Sequence, residues 1–320
     1  MGIEELVLEL SSQVQRAVKP HLGKMSSRAA SGRAVGGDTT FAIDDVAEEL
    51  VHDFLRKVGN IAYYSEDKGL VLFGEPNYVL IVDPIDGTRP AAAGFESCCV
   101  SIAAAPYEEN PRMADIICST VHEIKTDTLF LARKGMGVKA ERNGRVQPLL
   151  RSPNANLSAL FWTAGFRGRP AQALVTVLAD LIDMSSVDGG FFELGSVSFS
   201  LTRLITGQLD ACVDIGKRLI DEVPWLVEEF SRVGKGTILN NNPYDVAAAF
   251  LVVREAGGVV TDGYGRPLDD YLLLGSGLEY QFSLVAASNA SVHEKILSEI
   301  ERGIEKLKAT ATLRSRKDSL

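Results

Sequence analysis

Tyr78-Val79-Leu80-Ile81-Val82-Asp83-Pro84-Ile85-Asp86-Gly87-Thr88 is the stretch on which the reading of this chain turns. Residues 78–82 form an unbroken apolar, β-branched run, the pattern of a central strand buried on both faces. Asp83 stands at its carboxyl end, the edge where sheet-based enzymes place ligands. Pro84 stiffens the turn, and Asp86 comes back close to Asp83. Two carboxylates with no base beside them repel each other, and a divalent cation offsets that cost directly. Hard oxygen donors suit Mg²⁺ or Mn²⁺ rather than zinc, which prefers His and Cys. Gly87 lets a ligand approach the backbone. Thr88 offers a hydroxyl and the start of a short helix, whose free N–H groups suit a phosphate. A bare Asp-Pro-x-Asp is an ordinary turn; the full hexapeptide after a buried strand is not.

Working outward, residues 3–18 (Ile3, Leu6, Leu8, Leu10, Val14, Val18) and 44–57 (Val46, Leu50, Val51, Leu55) have helical apolar spacing. Residues 24–38, rich in Gly, Ser, Ala and Arg, read as a loop. Residues 61–64 read as a strand ending at Ser65-Glu66-Asp67, and 98–105, 116–120 and 128–133 as further strands. Asn143-Gly144 lies between two short extended runs and predicts a hairpin, because it supplies the positive φ angles of a tight turn. A second unit begins near residue 152. It reads as strand 157–164, helix 171–182, helix 196–206 ended by Gly207, strand 209–213, apolar helix 246–256, strands 259–261 and 282–287, and helix 293–308. The polar tail after Ala309 reads as frayed. Strands and helices interleave in both halves, so the class is α+β with more than one packed layer. Residues 1–151 form an N-terminal half carrying Glu66 and the 83–88 motif; residues 152–320 form a C-terminal half carrying Asp245.

The chain has 320 residues, 46% hydrophobic, enough for a large core. With 33 Lys plus Arg against 42 Asp plus Glu the net charge is −9, which argues against nucleic acid or an anionic membrane as partner. Cys98, Cys99, Cys118 and Cys212 form neither a CxxC pattern nor a disulfide framework and read as buried thiols of a cytoplasmic protein. The N-terminus lacks a signal-peptide pattern, and no segment is apolar over the roughly 20 residues that span a bilayer. His21, His52, His122 and His293 lie outside the acidic motifs. Asp245 alone would read as a helix-capping acid.

Residues 83–88 resemble the first signature of the inositol monophosphatase superfamily. Pro243-Tyr244-Asp245-Val246-Ala247-Ala248, running into Glu255-Ala256-Gly257-Gly258, resembles the second. Gly36-Gly37-Asp38 to Asp44, Ser65-Glu66-Asp67, Leu194-Gly195-Ser196, Leu209-Asp210-Ala211 and Ala286-Ala287-Ser288-Asn289 follow the family order, so the resemblance covers nearly the whole chain. It is similar to archaeal members, some of which also act on fructose 1,6-bisphosphate. The resemblance implies a layered α-β-α-β-α sandwich of the sugar-phosphatase type, and hydrolysis of a phosphomonoester with two or three Mg²⁺ ions, Mn²⁺ being a substitute. It assigns Glu66, Asp83 and the Ile85 carbonyl to one ion, and Asp83, Asp86 and Asp245 to another. Thr88, paired with Asp44, orients the attacking water, which Glu66 helps activate. Gly87 and Thr88 take the phosphate, and Gly195, Ser196, Asp214 and Arg218 lie on the side of the substrate alcohol. It implies a cytoplasmic homodimer inhibited by Li⁺. Inositol 1-phosphate or a related sugar or polyol phosphate is the first choice of substrate, fructose 1,6-bisphosphate its close rival. A 3′-phosphoadenosine phosphatase and a non-catalytic phosphosugar-binding relative are further alternatives.

Two departures stand out. Arg89-Pro90-Ala91-Ala92-Ala93 replaces the Asn and aromatic residue that commonly follow the first signature, so Arg89 either meets a second substrate phosphate or is a solvated arginine. Residues 215–243 are longer than the family's usual crossing. This insert reads either as a lid that sets specificity or as a surface embellishment or subunit contact.

Overall fold

Apolar positions three and four apart make Ile3–Val18 (α1) amphipathic, and its Leu6, Val7, Leu10, Val14 and Val18 are buried. The structure, a computed structural model, describes residues 1–35 and 37–317, with residues 310–317 described by their backbone. Gly36 of the Gly36-Gly37-Asp38 stretch and residues 318–320 of the tail lie outside the described residues. After α1 comes a two-stranded ribbon, Ala30–Arg33 (β1) against Thr39–Phe41 (β2). β1 lies inside the span expected to be a loop, and β2 just beyond it. The Ala34 N–H donating to the Asp38 carbonyl at 3.0 Å and the positive φ of Gly37 (90°) close the reversal. The first half continues with Ala42–Val58 (α2), Ile61–Ser65 (β3), Gly69–Phe73 (β4), Tyr78–Asp86 (β5) and Thr88–Ala93 (α3). Cys99–Pro106 (β6), Cys118–Glu123 (β7), Thr128–Arg133 (β8), Gly137–Arg142 (β9) and Arg145–Gln147 (β10) complete it. The second half contains Phe161–Ala164 (β11), Ala171–Met184 (α4), Gly190–Phe192 (β12), Val197–Ile205 (α5), Ala211–Asp214 (β13), Gly216–Glu222 (α6) and Leu226–Val233 (α7). Pro243–Glu255 (α8), Val259–Asp262 (β14), Leu284–Ala287 (β15) and Ala290–Lys317 (α9) follow. The tail expected to be frayed continues α9 as far as Lys317. At the predicted hairpin, Asn143 and Gly144 take φ of 50° and 72° between β9 and β10. The sequence reading missed β4 and the three-residue β12.

The eight-stranded sheet has the order β10-β9-β8-β7-β6-β5-β3-β4, and the five-stranded sheet β12-β11-β13-β15-β14. Alternation along the strands sorts side chains into layers. Tyr63, Leu80, Val82 and Val100 face α1 and α2. Ala62, Tyr64, Val79, Ile81 and Ala103 face the opposite way, onto α5 and α8, which also meet Cys212, Leu284 and Ala286 of the second sheet. The far face of that sheet, with Ala211, Val213, Val285 and Ala287, packs on α4 and α9. The result is the α-β-α-β-α sandwich the resemblance implied.

The insert belongs to this core. Leu219, Val223, Leu226 and Phe230 of α6, α7 and their junction are buried in the last layer. Burying each such side chain stabilises the fold by roughly 1.5–3 kcal/mol. Residues 219–230 of the insert therefore support the second sheet.

β5 positions the chemistry through an irregularity in its pairing with β6. Asp83 pairs with Ser101 and Asp86 with Cys99, so three steps on β5 match two on β6. In a regular strand residues three apart point to opposite faces. The extra residue of this bulge puts Asp86 on the same face as Asp83, and Ile85 joins the α1–α2 side. The expected turn at Pro84 is thus a bulge inside a strand that runs on to Asp86.

Candidate active site

Parallel pairing sets the first two acids side by side. β3 and β5 run parallel with Ser65 opposite Val82, so Glu66, just past the end of β3, comes beside Asp83 near the carboxyl end of β5. The bulge adds Asp86. Asp245 comes from the first turn of α8, where its Oδ2 accepts the Asn242 N–H at 2.7 Å. It caps its helix and also faces the cavity. Glu66, Asp83, Asp86 and Asp245 all line one cleft. Burial, followed by mutual repulsion, holds Glu66 and Asp83 well above the usual carboxylate range. Burial likewise raises Asp245, to about 7. Asp86 is raised too, although Ser196 Oγ (2.8 Å) and the Ser198 N–H (2.5 Å) donate to its Oδ2.

Next to this group, Thr88 Oγ1 lies 2.9 Å from Asp44 Oδ1 and 3.1 Å from the Ile85 carbonyl. The other Asp44 oxygen accepts the Phe41 N–H at 2.8 Å, which fixes the carboxylate at the start of α2. Burial pushes Asp44 up to about 7. One turn further on, buried Glu48 accepts from Ser65 Oγ at 3.0 Å and is also pushed up to about 7, mainly by burial. Gly87 has φ of 90°, and a Cβ there would lie 2.5 Å from the Ser97 carbonyl and 2.9 Å from Ser196 Cβ. Gly195 is similar, with φ of 72° and a Cβ position 2.9 Å from Pro90. These two glycines let the Gly195-Ser196 backbone dock on the start of α3.

The opposite wall is basic and polar. β11 and β13 are parallel with Ala164 opposite Val213, so Gly165 emerges beside Asp214. Arg169 Nη1 lies 2.7 Å from Asp214 Oδ2, both side chains being 6% exposed. Arg169 also donates to the Leu239 and Gly165 carbonyls at 3.0 and 2.9 Å. Arg167 lines the same cleft and pairs with Asp38. Asn240 and Asn241, from the end of the insert, complete this wall. The sequence reading singled out neither Arg167 nor Arg169. The available signal was Gly165-Phe166-Arg167-Gly168-Arg169, two arginines in a glycine-bounded loop directly after a strand. Arg89 is held by Asp38, at 3.1 and 3.3 Å, and is not free.

Of the residues singled out from sequence, Glu66, Asp83, Ile85, Asp86, Gly87, Thr88, Gly195, Ser196, Asp214 and Asp245 all line the cleft. Asp44 lies in the adjoining recess with Thr88. Arg218 does not line the cleft. It is buried under Tyr264, bonded to Glu222 at 2.7 Å, to Glu301 and to the Gly263 carbonyl at 2.9 Å, and ties the insert to α9. Its proximity to Asp214 in sequence is undone by the turn into α6.

The donor set fits a hard divalent cation. Its ligand atoms are carboxylate oxygens, and the nearby thiols of Cys99 and Cys212 are pushed up by burial and are not thiolates. His52, His122 and His293 bond to Tyr63, Asp127 and Thr261, away from the cleft. A second acidic group, Glu222, Glu301 and Glu305, is ion-paired with Arg218 and Lys308.

Comparison with known proteins gives a consistent result. The model of the inositol monophosphatase family matches residues 4–305. A fructose-1,6-bisphosphatase/inositol-1-monophosphatase of Methanothermobacter thermautotrophicus is 28% identical over 308 residues, covering 92% of this chain and 95% of the relative. A bifunctional NADP phosphatase/NAD kinase of Methanococcus maripaludis is 26% identical, covering 93% of this chain and 49% of the relative. Among solved structures, an inositol monophosphatase–fructose 1,6-bisphosphatase superposes with a TM-score of 0.69 at 18% identity, covering 93% of this chain and all of that one (100%), a likeness of fold.

Proposed function

The chain belongs to the inositol monophosphatase family, and on that premise we propose that it is a Mg²⁺-dependent phosphomonoesterase acting on inositol 1-phosphate or a related sugar or polyol phosphate. The observation that carries this reading is the convergence of the buried carboxylates of Glu66, Asp83, Asp86 and Asp245 on one cleft. Glu66, Asp83 and the Ile85 carbonyl would hold one ion, and Asp83, Asp86 and Asp245 a second, with Mn²⁺ as a substitute. Such ions supply charge for the phosphate and acidify a water at neutral pH.

The chain's own groups do the positioning. Asp44 draws the Thr88 hydrogen toward itself, which leaves the Thr88 oxygen as an acceptor that orients a water. Glu66 is the nearby base that takes a proton from that water. Gly87 opens the backbone N–H groups of residues 87 and 88 to the phosphate. Gly195, Ser196 and Asp214 border the space for the alcohol. Fructose 1,6-bisphosphate is the second reading, favoured by Arg167, a basic side chain in the cleft. In this account the protein works as a homodimer in the cytoplasm, and light scattering checks the dimer.

The test is phosphate release from inositol 1-phosphate, fructose 1,6-bisphosphate, NADP and 3′-phosphoadenosine 5′-phosphate, with Mg²⁺ and with chelator. Release from a sugar or polyol ester that needs Mg²⁺ and is lost in Asp83→Asn supports the reading. Release indifferent to chelator and to that substitution refutes it.

A further inference from the structure

Two arginines enter the cleft from one loop, and they are held very differently. Arg169 is locked: its guanidinium is 6% exposed and is consumed by Asp214 and two backbone carbonyls. Arg167 is 44% exposed, and its ion-pair partner is Asp38. Asp38 does not depend on it. Arg89 grips both Asp38 oxygens at 3.1 and 3.3 Å, and the Thr39 N–H donates at 2.8 Å. If Arg167 leaves, Asp38 keeps a counter-charge. If Arg167 stays, its positive charge stands in the same cleft as the carboxylates of Glu66, Asp86 and Asp245 while it pairs with Asp38. Those three carboxylates are among the four proposed above to hold divalent ions. A guanidinium and a dication drawn to the same carboxylates repel each other, so the two compete.

We propose that Arg167 is a built-in counter-cation of the acidic site: it neutralises the carboxylates when no divalent ion is bound, gives way when one enters, and thereby sets the affinity for the metal. This rests on the metal-site reading of Glu66, Asp83, Asp86 and Asp245. The backbone around it suits a side chain that changes place. Gly168, with φ of 68°, turns the chain immediately after Arg167, and the Arg169–Asp214 pair anchors the loop one residue beyond. Linkage makes the effect reciprocal: whatever factor Arg167 takes from metal affinity, metal takes from the contact between Arg167 and the acids.

The experiment is calorimetric titration of Mn²⁺ alone into chelator-treated full-length protein, with thermal melts run beside it. Arg167→Gln is expected to bind Mn²⁺ roughly tenfold more tightly than wild type, and Arg167→Lys, which keeps the charge, to stay near wild type. Without metal, Arg167→Gln melts below wild type, because the carboxylates lose their counter-charge; at saturating Mn²⁺ the gap closes. Arg167→Met, which keeps the apolar stem, supplies the same comparison if the glutamine variant does not fold. Affinity in both neutral variants equal to or weaker than wild type overturns the proposal while leaving the metal site standing. Failure of wild type to bind Mn²⁺ at all overturns the metal-site reading and this proposal with it.

Discussion

The two walls of the cleft are built by opposite strategies. The acidic wall concentrates charge of one sign: Asp83 and Asp86 on one face of β5, Glu66 beside them, Asp245 across. Arg167 offsets it only in part, and burial with repulsion raises its carboxylates. The facing wall pairs its charges. Arg169 and Asp214 satisfy each other in full burial, and Asn240 and Asn241 lie beside them. The first wall carries strain that a ligand relieves, whereas the second pairs its buried charges within the fold. Substitutions should therefore damage function on one side and stability on the other.

The sharpest way to break that contrast is Asp83→Asn. Losing a shared ligand should cut turnover by at least about 1000-fold, several kcal/mol of transition-state stabilisation. The same change should raise the melting temperature of the chelated protein, because it removes one of the repelling charges. A chelated variant that melts lower than wild type would show that the acidic wall is not strained. On the other wall Asp214→Asn strands Arg169 in a buried site and should cost about 3–5 kcal/mol in urea unfolding. An unfolding midpoint unchanged from wild type would contradict the pairing.

A smaller effect comes from pH. Glu48 has its carboxyl raised to about 7 in the fold from an ordinary value of 4.5. The native state then holds a proton that the unfolded state has lost, so this contribution to stability is full below pH 4.5 and disappears as pH rises through 7. Chelated wild type should lose on the order of 2–3 kcal/mol over that window from this group. Glu48→Gln should flatten that part of the slope in urea midpoints taken at pH 5 and 8; an equal slope in both proteins would exclude Glu48 as its source. The smallest change is Ser196→Ala, which removes one donor to Asp86 and the side-chain cap on the Phe199 N–H at 3.2 Å. About 1 kcal/mol of stability and roughly tenfold in Mn²⁺ affinity should go with it, by melting and titration.

The same contrast governs what the sequence made legible. The acidic wall could be read because Asp83, Asp86, Gly87 and Thr88 sit within six positions, and the family's order supplied Glu66 and Asp245. Even so, the bulge that aligns Asp83 with Asp86 was hidden, since it is a property of pairing with β6 and not of β5 alone. The basic wall depends on a parallel pairing, β11 with β13, and on the return of the insert at Asn240, neither of which leaves a local mark. Arg218 shows the converse error. Four residues after Asp214, it is carried by α6 toward α9. The layered fold was legible because apolar periodicity reports layers, while the ribbon of β1 and β2 was obscured by a glycine-rich stretch that satisfies loop and hairpin alike.

The central claim is that the four carboxylates form a site for two neighbouring divalent ions. Electron paramagnetic resonance of the Mn²⁺-loaded protein tests it most directly. The account predicts a spin-coupled spectrum from two ions about 4 Å apart, replaced in Asp83→Asn by the six-line signal of an isolated ion. Isolated six-line Mn²⁺ in saturated wild type, unaltered by that substitution, would contradict it.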